Sequence, residues 1–315
     1  MKKLKALLLT EGMHGMISQV EGMAKALNTE YNHKIVRISF PWKLISPKFT
    51  PISDIILKDR IYLVENDTPD LIISCGRKSV VPSIILKKKN PKIFTIHIQD
   101  PKVGLKNFDV IISPEHDNLS GDNIYSSKGA IHYITESEIN KAKPYLMKKV
   151  SSDKVVALIL GGPNKYYNFE KDQLINIFNQ IKSNFISKGY KIIVIPSMRT
   201  PKKSIELAIH EMSSFGHVIN GVNKQAYLSA YALANYIVVT CDSTSMISEA
   251  ATSGKPVFIA HMEPKKNNYR FKRFFKLFRE MGIARDLGEK VEPWTYNKYN
   301  EAARIAAQIR TKIKS

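Results

Sequence analysis

The chain has 315 residues, 43% hydrophobic and 24% charged, a composition that builds buried cores and excludes a disordered or fibrous protein. Its 48 basic residues outnumber 28 acidic ones for a formal net charge of +20, and division after Val150 gives 23 against 15 and then 25 against 13, so the excess belongs to the surface rather than to a tail. Such a surface attracts phosphate on nucleic acid, lipid or nucleotide, although plentiful lysine, asparagine and isoleucine is an equally weighted, plainer explanation.

Short β-rich apolar runs alternate with longer helical stretches, the pattern of a parallel sheet covered on both faces. In the first half the expected strands are residues 5–9, 34–38, 70–74, 93–97 and 109–112, forming one sheet, with helices at 17–27, 80–89 and 136–148. A polar stretch at 148–153 marks the expected linker. The pattern then repeats, with strands at 155–160, 191–195, 236–240 and 256–259 and helices at 171–187, 202–212, 245–253 and 268–281. In the last segment Ala302, Ile305, Ala306, Ile309 and Ile313 fall on one helical face. It either closes the second domain or crosses back to the first. The expected architecture is α/β: two Rossmann-like domains, 1–150 and 151–315, facing across a cleft.

No apolar run reaches the roughly 18 residues of a spanning helix, and the start turns polar too soon for a signal peptide. A cytoplasmic location is expected. Cys75 and Cys241 each end a strand-like run, an inventory that offers neither a disulfide framework nor a zinc site.

Each half opens with a strand running into a glycine-bearing loop, Gly12-Met13-His14-Gly15 and then Gly161-Gly162-Pro163. Loops at the carboxyl ends of parallel strands are where open α/β sheets bind ligands, and glycine lets backbone approach them closely. Neither loop matches a P-loop or the three-glycine dinucleotide fingerprint. Alone, each reads more simply as a tight turn.

The strongest stretch follows the strand at 236–240: Asp242-Ser243-Thr244-Ser245-Met246 opens a helix, Glu249 lies on it, and Gly254 ends it. Amides and hydroxyls at a helix start bind phosphate oxygens, and a carboxylate a turn or so along accepts from ribose hydroxyls. The plainer reading is that Asp242 or Ser243 caps the helix and Glu249 is solvated. Ser197-Met198-Arg199-Thr200-Pro201 also follows a strand; Arg199 would fork onto a phosphate, with Ser197 and Thr200 as hydroxyl donors. Here the plainer reading has Thr200 as a helix cap with Pro201 at the first position.

Together, Gly12, Gly15, Gln19, Ser74-Cys75-Gly76-Arg77, His97-Ile98-Gln99-Asp100-Pro101, Phe108-Asp109, Pro114-Glu115-His116-Asp117, Gly161-Gly162-Pro163, Arg199-Thr200-Pro201 and Asp242 to Met246 resemble the elongated-mitochondria fission-factor family, from about residue 4 to 283. The resemblance implies a two-Rossmann GT-B architecture, and in bacterial members a glycosyltransferase. The second-domain motifs are also similar to those of the lipid-intermediate N-acetylglucosaminyltransferase of peptidoglycan synthesis, where the corresponding helix start and glutamate hold the donor nucleotide. The chain departs from the family pattern at His14-Gly15, at Ser197-Met198-Arg199 in place of two adjacent arginines, and at Asn235 in place of an aspartate.

On this reading Gly161, Gly162, Ser197, Arg199, Thr200, Asp242, Ser243, Thr244, Ser245, Met246 and Glu249 hold a nucleotide-sugar donor. Gly12, Gly15, Gln19, Gly76, Arg77, Gln99 and His116 face the acceptor, a cell-envelope glycan or lipid-linked acceptor. Glycosyl transfer needs a stabilised diphosphate leaving group and a base for the acceptor hydroxyl. The expected bases are Asp100 and His14, ahead of Glu115 and His116. No Asp-x-Asp pair is present to hold a divalent ion, so a metal-independent reaction is expected, with no cofactor beyond the activated sugar. Lack of a pair of glutamates eight positions apart points to inversion.

Residues 264–279 carry seven basic residues and five aromatics, with Phe271, Phe274, Phe275 and Phe278 at helical spacing. A membrane-surface helix or nucleic-acid patch is one reading; the stronger one packs the phenylalanines onto the second domain and leaves the basic face to meet anionic lipid or phosphate, in keeping with a peripheral place at the inner membrane face. No RNA-module motif is present, so no specific nucleic-acid partner is expected. A non-catalytic adaptor that recruits a partner protein to membranes is the competing function.

Overall fold

The computed structural model describes residues 3–63 and 68–313. Its elements begin with β1 (Lys5–Thr10), α1 (His14–Ala26), β2 (Glu30–Ile35), β3 (Leu71–Cys75), α2 (Val80–Lys89), β4 (Phe94–Ile98), β5 (Val110–Pro114), β6 (Ile124–Ser127), α3 (Glu136–Ala142) and α4 (Pro144–Met147). They continue with β7 (Val155–Leu160), α5 (Lys171–Asn184), β8 (Lys191–Pro196), α6 (Lys202–Met212), β9 (Gly216–Val218) and α7 (Lys224–Leu233). The last are β10 (Tyr236–Thr240), α8 (Thr244–Ala251), β11 (Val257–Ala260), α9 (Tyr269–Glu280), β12 (Ala284–Asp286) and α10 (Glu301–Ile313). Two compact units result, Met1–Tyr133 with Asn300–Ser315, and Ile134–Tyr299.

In the first unit the described strands form one parallel sheet in the order β2-β1-β3-β4-β5-β6. The expected strand at 34–38 sits earlier, at Glu30–Ile35, where each residue pairs with one of β1. Thr10 ends β1, so pairing stops at Ile35 and the apolar residues beyond leave the sheet. β6, with two serines and a tyrosine in four residues, lacked an apolar run to announce it. α10 belongs to this unit: Ala302, Ile305, Ala306 and Ile309 share a core with Val20, Met23 and Ala24 of α1.

The second sheet runs β12-β11-β10-β7-β8-β9, again all parallel. Counted within the unit this is the doubly wound order 3-2-1-4-5-6, whose winding reverses between β7 and β10. Every residue of β7, Val-Val-Ala-Leu-Ile-Leu, is buried, as a strand covered on both faces requires. α5 buries Leu174, Ile177, Phe178 and Ile181 along one stripe.

The expected helix at 136–148 divides at Pro144 into α3 and α4. Both lie in the second unit, so the units divide after Tyr133 rather than after Val150. Ser229 on α7 ties them there, accepting from Leu146 N at 3.1 Å and reaching Lys143 O at 3.0 Å. α7 itself has no polar stripe across its middle; Ala226 and Leu228 to Tyr231 are all buried, which hides the helical period that sequence reading relies on. Its start is signalled by Asn223, whose side chain accepts from Ala226 N at 2.9 Å.

Candidate functional site

In the second unit the loops after β7 and β10 leave the sheet at its winding reversal, the crevice where doubly wound sheets bind ligands. The two loops are sewn together. Thr240 Oγ1 accepts from Gly161 N at 2.8 Å and donates to Asp242 Oδ1 at 2.7 Å, while Gly162 N donates to Asp242 Oδ2 at 3.0 Å. Both glycines are required by this closeness: a Cβ on Gly161 would stand 2.1 Å from Asp242 Oδ2, and one on Gly162 would stand 2.0 Å from Arg199 O.

Arg199 joins the same knot. Its Nη2 contacts Asp242 Oδ2 at 2.7 Å and its Nη1 donates to Gly162 O at 2.8 Å. The fork expected to hold a phosphate is thus closed on a carboxylate and a carbonyl of the chain. Burial pushes the Asp242 carboxyl above its ordinary value, and the Arg199 charge only partly offsets this. Ser197 and Thr200 are also turned inward. The Thr200 hydroxyl accepts from Ser197 N at 2.8 Å and lies 2.5 Å from Gly161 O. It does not cap α6, whose N-cap is Pro201.

The cap of α8 is Ser243, whose Oγ accepts from Met246 N at 3.3 Å. Met246 itself is buried, while Thr244 and Ser245 stay partly accessible in the first turn, where helical amides lack intrahelical acceptors. Glu249 is not the solvated residue of the plainer reading. Tyr227 OH donates to its Oε2 at 2.5 Å, and Tyr231 OH donates to Tyr227 OH at 2.6 Å. Burial pushes this carboxyl up to about 7, against the pull of the Tyr227 hydrogen bond. Among the described residues nothing donates to Glu249 Oε1. Sequence reading missed both tyrosines because it missed α7. Asn235, standing where the family pattern has an aspartate, accepts from Val155 N at 2.7 Å and pins the start of β7.

In the first unit the winding reverses between β1 and β3, and Gly12 and Gly76 lie just beyond those strands. Both have positive φ, +88° and +92°, a region L side chains avoid. Glu11 bridges the two loops, accepting from Lys78 N at 3.0 Å and pairing with Lys78 Nζ at 2.9 Å. Gly15 and His14 are exposed at the start of α1, the His14 ring edge-on to Tyr133. Gln19 Oε1 accepts from Cys75 Sγ at 3.6 Å. Arg77 donates to Lys43 O at 2.8 Å, binding backbone rather than standing open.

Of the candidate bases, Asp100 accepts from Lys102 N at 2.9 Å and is ion-paired to Lys102 Nζ. Burial raises its carboxyl, but the hydrogen bonds and charge of Lys102 outweigh that and hold it below the ordinary value. Gln99 beside it adopts φ +87°, uncommon for a residue with a side chain. Glu115 and His116 form a 3-10 turn after β5; the His116 side chain lies outside the described atoms. His97, buried in β4 with Nδ1 2.9 Å from Ser74 Oγ, is pushed by burial down to about 3. It is a neutral core histidine.

α9 buries Phe274, Phe275 and Phe278, with Phe271 edge-on to Tyr166 and Tyr167. The phenylalanines pack onto the second unit. Cys75 and Cys241 are free and buried, and burial pushes the Cys241 thiol up to about 12.

Two parallel-sheet, Rossmann-like units, one with the 3-2-1-4-5-6 order, define the class as a GT-B-like α/β fold. Among solved structures the chain is similar to a UDP-GlcNAc 2-epimerase from Methanocaldococcus jannaschii, with TM-score 0.55 and 16% identity over 98% of this chain and 99% of that one. Another from Neisseria meningitidis, bound to UDP-GlcNAc, gives 0.53 and 12% over 99% and 92%. A UDP-glucosyltransferase from Polygonum tinctorium gives 0.51 and 9% over 99% and 93%. The chain belongs to the mitochondrial fission ELM1 family, whose model matches residues 14–313. It is 28% identical to protein RP120 of Rickettsia prowazekii, over 95% of this chain and 94% of that protein. It is 26% identical to mitochondrial fission protein ELM1 of Arabidopsis thaliana over 79% of this chain, and spans 65% of that relative's length.

Proposed function

We propose that the protein is a metal-independent glycosyltransferase that takes a sugar from a nucleotide donor to a cell-envelope glycan or lipid-linked acceptor, working in the cytoplasm at the inner membrane face. One observation carries the donor assignment. At the winding reversal of the second sheet, a capped helix start with accessible Thr244 and Ser245 lies one to two turns before a part-buried carboxylate that keeps one oxygen open. The α8 amides and hydroxyls would take the diphosphate and stabilise it as it departs, and Glu249 Oε1 would accept from the ribose.

In this reading Arg199 and Asp242 act as positioning residues. Their ion pair holds the β7 and β10 loops at the spacing the diphosphate needs, and Gly161 and Gly162 make that spacing sterically attainable. The acceptor side is assigned to Gly12, Gly15, Gln19, Gly76, Arg77, Gln99 and His116, with His14 or Asp100 taking the acceptor proton. Lys102 stabilises the charged form of Asp100 and so weakens it as a base.

Titration calorimetry with a panel of nucleoside diphosphates and their sugars tests the donor site. Binding is expected for one of them, and Glu249→Ala is expected to weaken it by about 1–3 kcal/mol, the worth of hydrogen bonds to a charged group. Binding that is indifferent to Glu249→Ala and Arg199→Ala would remove the site. The adaptor reading has one observation in its favour, the Arg199–Asp242 pair that spends the expected phosphate-binding guanidinium on the chain itself. It predicts no binding by any nucleotide and partner capture that survives Asp242→Ala and Glu249→Ala.

A further inference from the structure

Fourteen large hydrophobic side chains are exposed among the described residues, and eight of them fall between residues 31 and 62. Elsewhere they are scattered. Most belong to an excursion of the first unit that leaves the sheet after β2 and returns near residue 58. Its base is tied by an antiparallel bridge between Ile38 and Leu57 and by Ser39 N to Ile56 O at 2.8 Å. Its tip is built from two 3-10 turns, Trp42–Leu44 and Pro47–Phe49, and Arg77 holds it down through Lys43 O.

The apolar residues of this excursion fall into two sets. Ile38, Trp42, Ile45, Pro47 and Ile56 line a shallow pocket against Val81. Phe40, Leu44, Phe49 and Ile55 point away, with 72%, 70%, 72% and 70% of their surface exposed. Ile38, Trp42, Ile56 and Leu57 join the core that Leu9, Ile72, Val81 and Ile85 build in the first unit, and burial of the outward set is not needed to complete it. Four large apolar side chains this exposed on one short segment mark an interaction surface.

Charge identifies what covers it. Residues 34–62 carry six basic side chains against two acidic ones. Both acids are already paired, Asp54 with Lys89 at 2.5 Å and Asp59 with Arg37 at 3.9 Å. Lys43, Lys48, Lys58 and Arg60 have no carboxylate partner among the described residues; Lys48 Nζ lies over the Phe49 ring, 5.7 Å from its centre. Outward aromatic and aliphatic side chains on a segment that also carries these cations match the interface of an anionic bilayer, where the rings enter the acyl boundary and the basic groups stay among phosphates. Among the described residues no helix is long and apolar enough to cross a membrane, so this contact is peripheral.

We propose that the excursion of residues 36–58, led by Phe40, Leu44 and Phe49 with Lys43 and Lys48, docks the protein onto an anionic lipid surface. It is a different element from α9, whose phenylalanines are largely buried. The docking is independent of the donor-site reading, because vesicles without nucleotide report on it alone.

Vesicle co-sedimentation tests it, comparing neutral phosphatidylcholine with vesicles containing phosphatidylglycerol. The native chain is expected to bind the anionic vesicles about tenfold or more tightly than neutral ones, two lysines together being worth roughly that at a charged surface. Phe40→Ser/Leu44→Ser/Phe49→Ser and Lys43→Glu/Lys48→Glu should each lose about tenfold or more in binding, with unfolding midpoints close to native because these side chains are exposed. Lys272→Glu/Lys276→Glu on α9 should bind within a few-fold of native. Phe49→Trp, which keeps the apolar ring, should show tryptophan quenching by brominated lipid beyond that of the native chain. No binding of the native chain to anionic vesicles would overturn the proposal, as would a triple-serine variant that binds like native, loss of binding in the α9 variant instead, or no added quenching in Phe49→Trp.

Discussion

Glu249 couples the candidate site to pH. Its carboxyl titrates near 7 in the folded protein against an ordinary 4.5, so between those values the folded state holds a proton that the unfolded chain has released. Stability from this group is therefore fully present below about 4.5 and is lost as pH rises through 7. Glu249→Gln removes the titration; relative to native it should gain stability progressively from pH 5 to 8, reaching about 1–3 kcal/mol in denaturant unfolding. A constant difference across that range would mean the carboxyl is not held proton-rich. Nucleotide affinity should run the other way, rising through pH 7 as the carboxylate becomes able to accept from ribose.

The paired glycines make a second residue-scale prediction. A Cβ at Gly161 meets the Asp242 carboxylate, and one at Gly162 meets backbone, so neither neighbour yields at small cost. Gly161→Ala and Gly162→Ala should each destabilise by about 2 kcal/mol or more, read as a lowered denaturation midpoint. The same steric fact limits what sequence alone discloses. A strand followed by Gly-Gly announces a close approach, but what approaches here is Asp242, eighty positions away, and no local pattern carries that pairing. Arg199 is the parallel case. Its place after β8 was legible, whereas its partner, which decides whether the guanidinium meets a ligand or a carboxylate, was not.

At the scale of elements, strands buried on both faces announced themselves and edge strands did not. β7 and β10 were legible to the residue because all their side chains are apolar or buried. β6, β9 and β12 have three or four residues each and mixed polarity, and pairing with a formed sheet, rather than their own composition, makes them strands. α7 was missed for the opposite reason, burial around most of its circumference, and with it went the Tyr227–Tyr231 relay to Glu249. α10 shows a legible face with an ambiguous destination: its apolar stripe predicted a buried side, and only the fold joins it to α1. Ile305, fully buried in that joint core, should cost about 2–5 kcal/mol when changed to alanine, measured by denaturant unfolding. Exposed Lys312→Ala should cost little.

For the molecule as a whole, the family and the GT-B-like class rest on matches that span nearly the whole chain, while the proposed activity rests on one crevice. The charge of +20 is a hazard in testing it, since a basic surface binds any polyanion weakly. Such binding fades steeply with salt, whereas a diphosphate seated on α8 should retain most of its affinity between about 0.05 and 0.3 M salt, where ions screen mainly exposed charges. The measurement closest to the central claim is amide hydrogen exchange with and without a nucleoside diphosphate that binds. The account predicts slowed exchange in peptides covering Ser243 to Glu249 and the Gly161–Gly162 loop, with Glu249→Ala shifting that protection to higher nucleotide concentration. Protection confined to other segments, or unchanged exchange at saturating nucleotide, would contradict it.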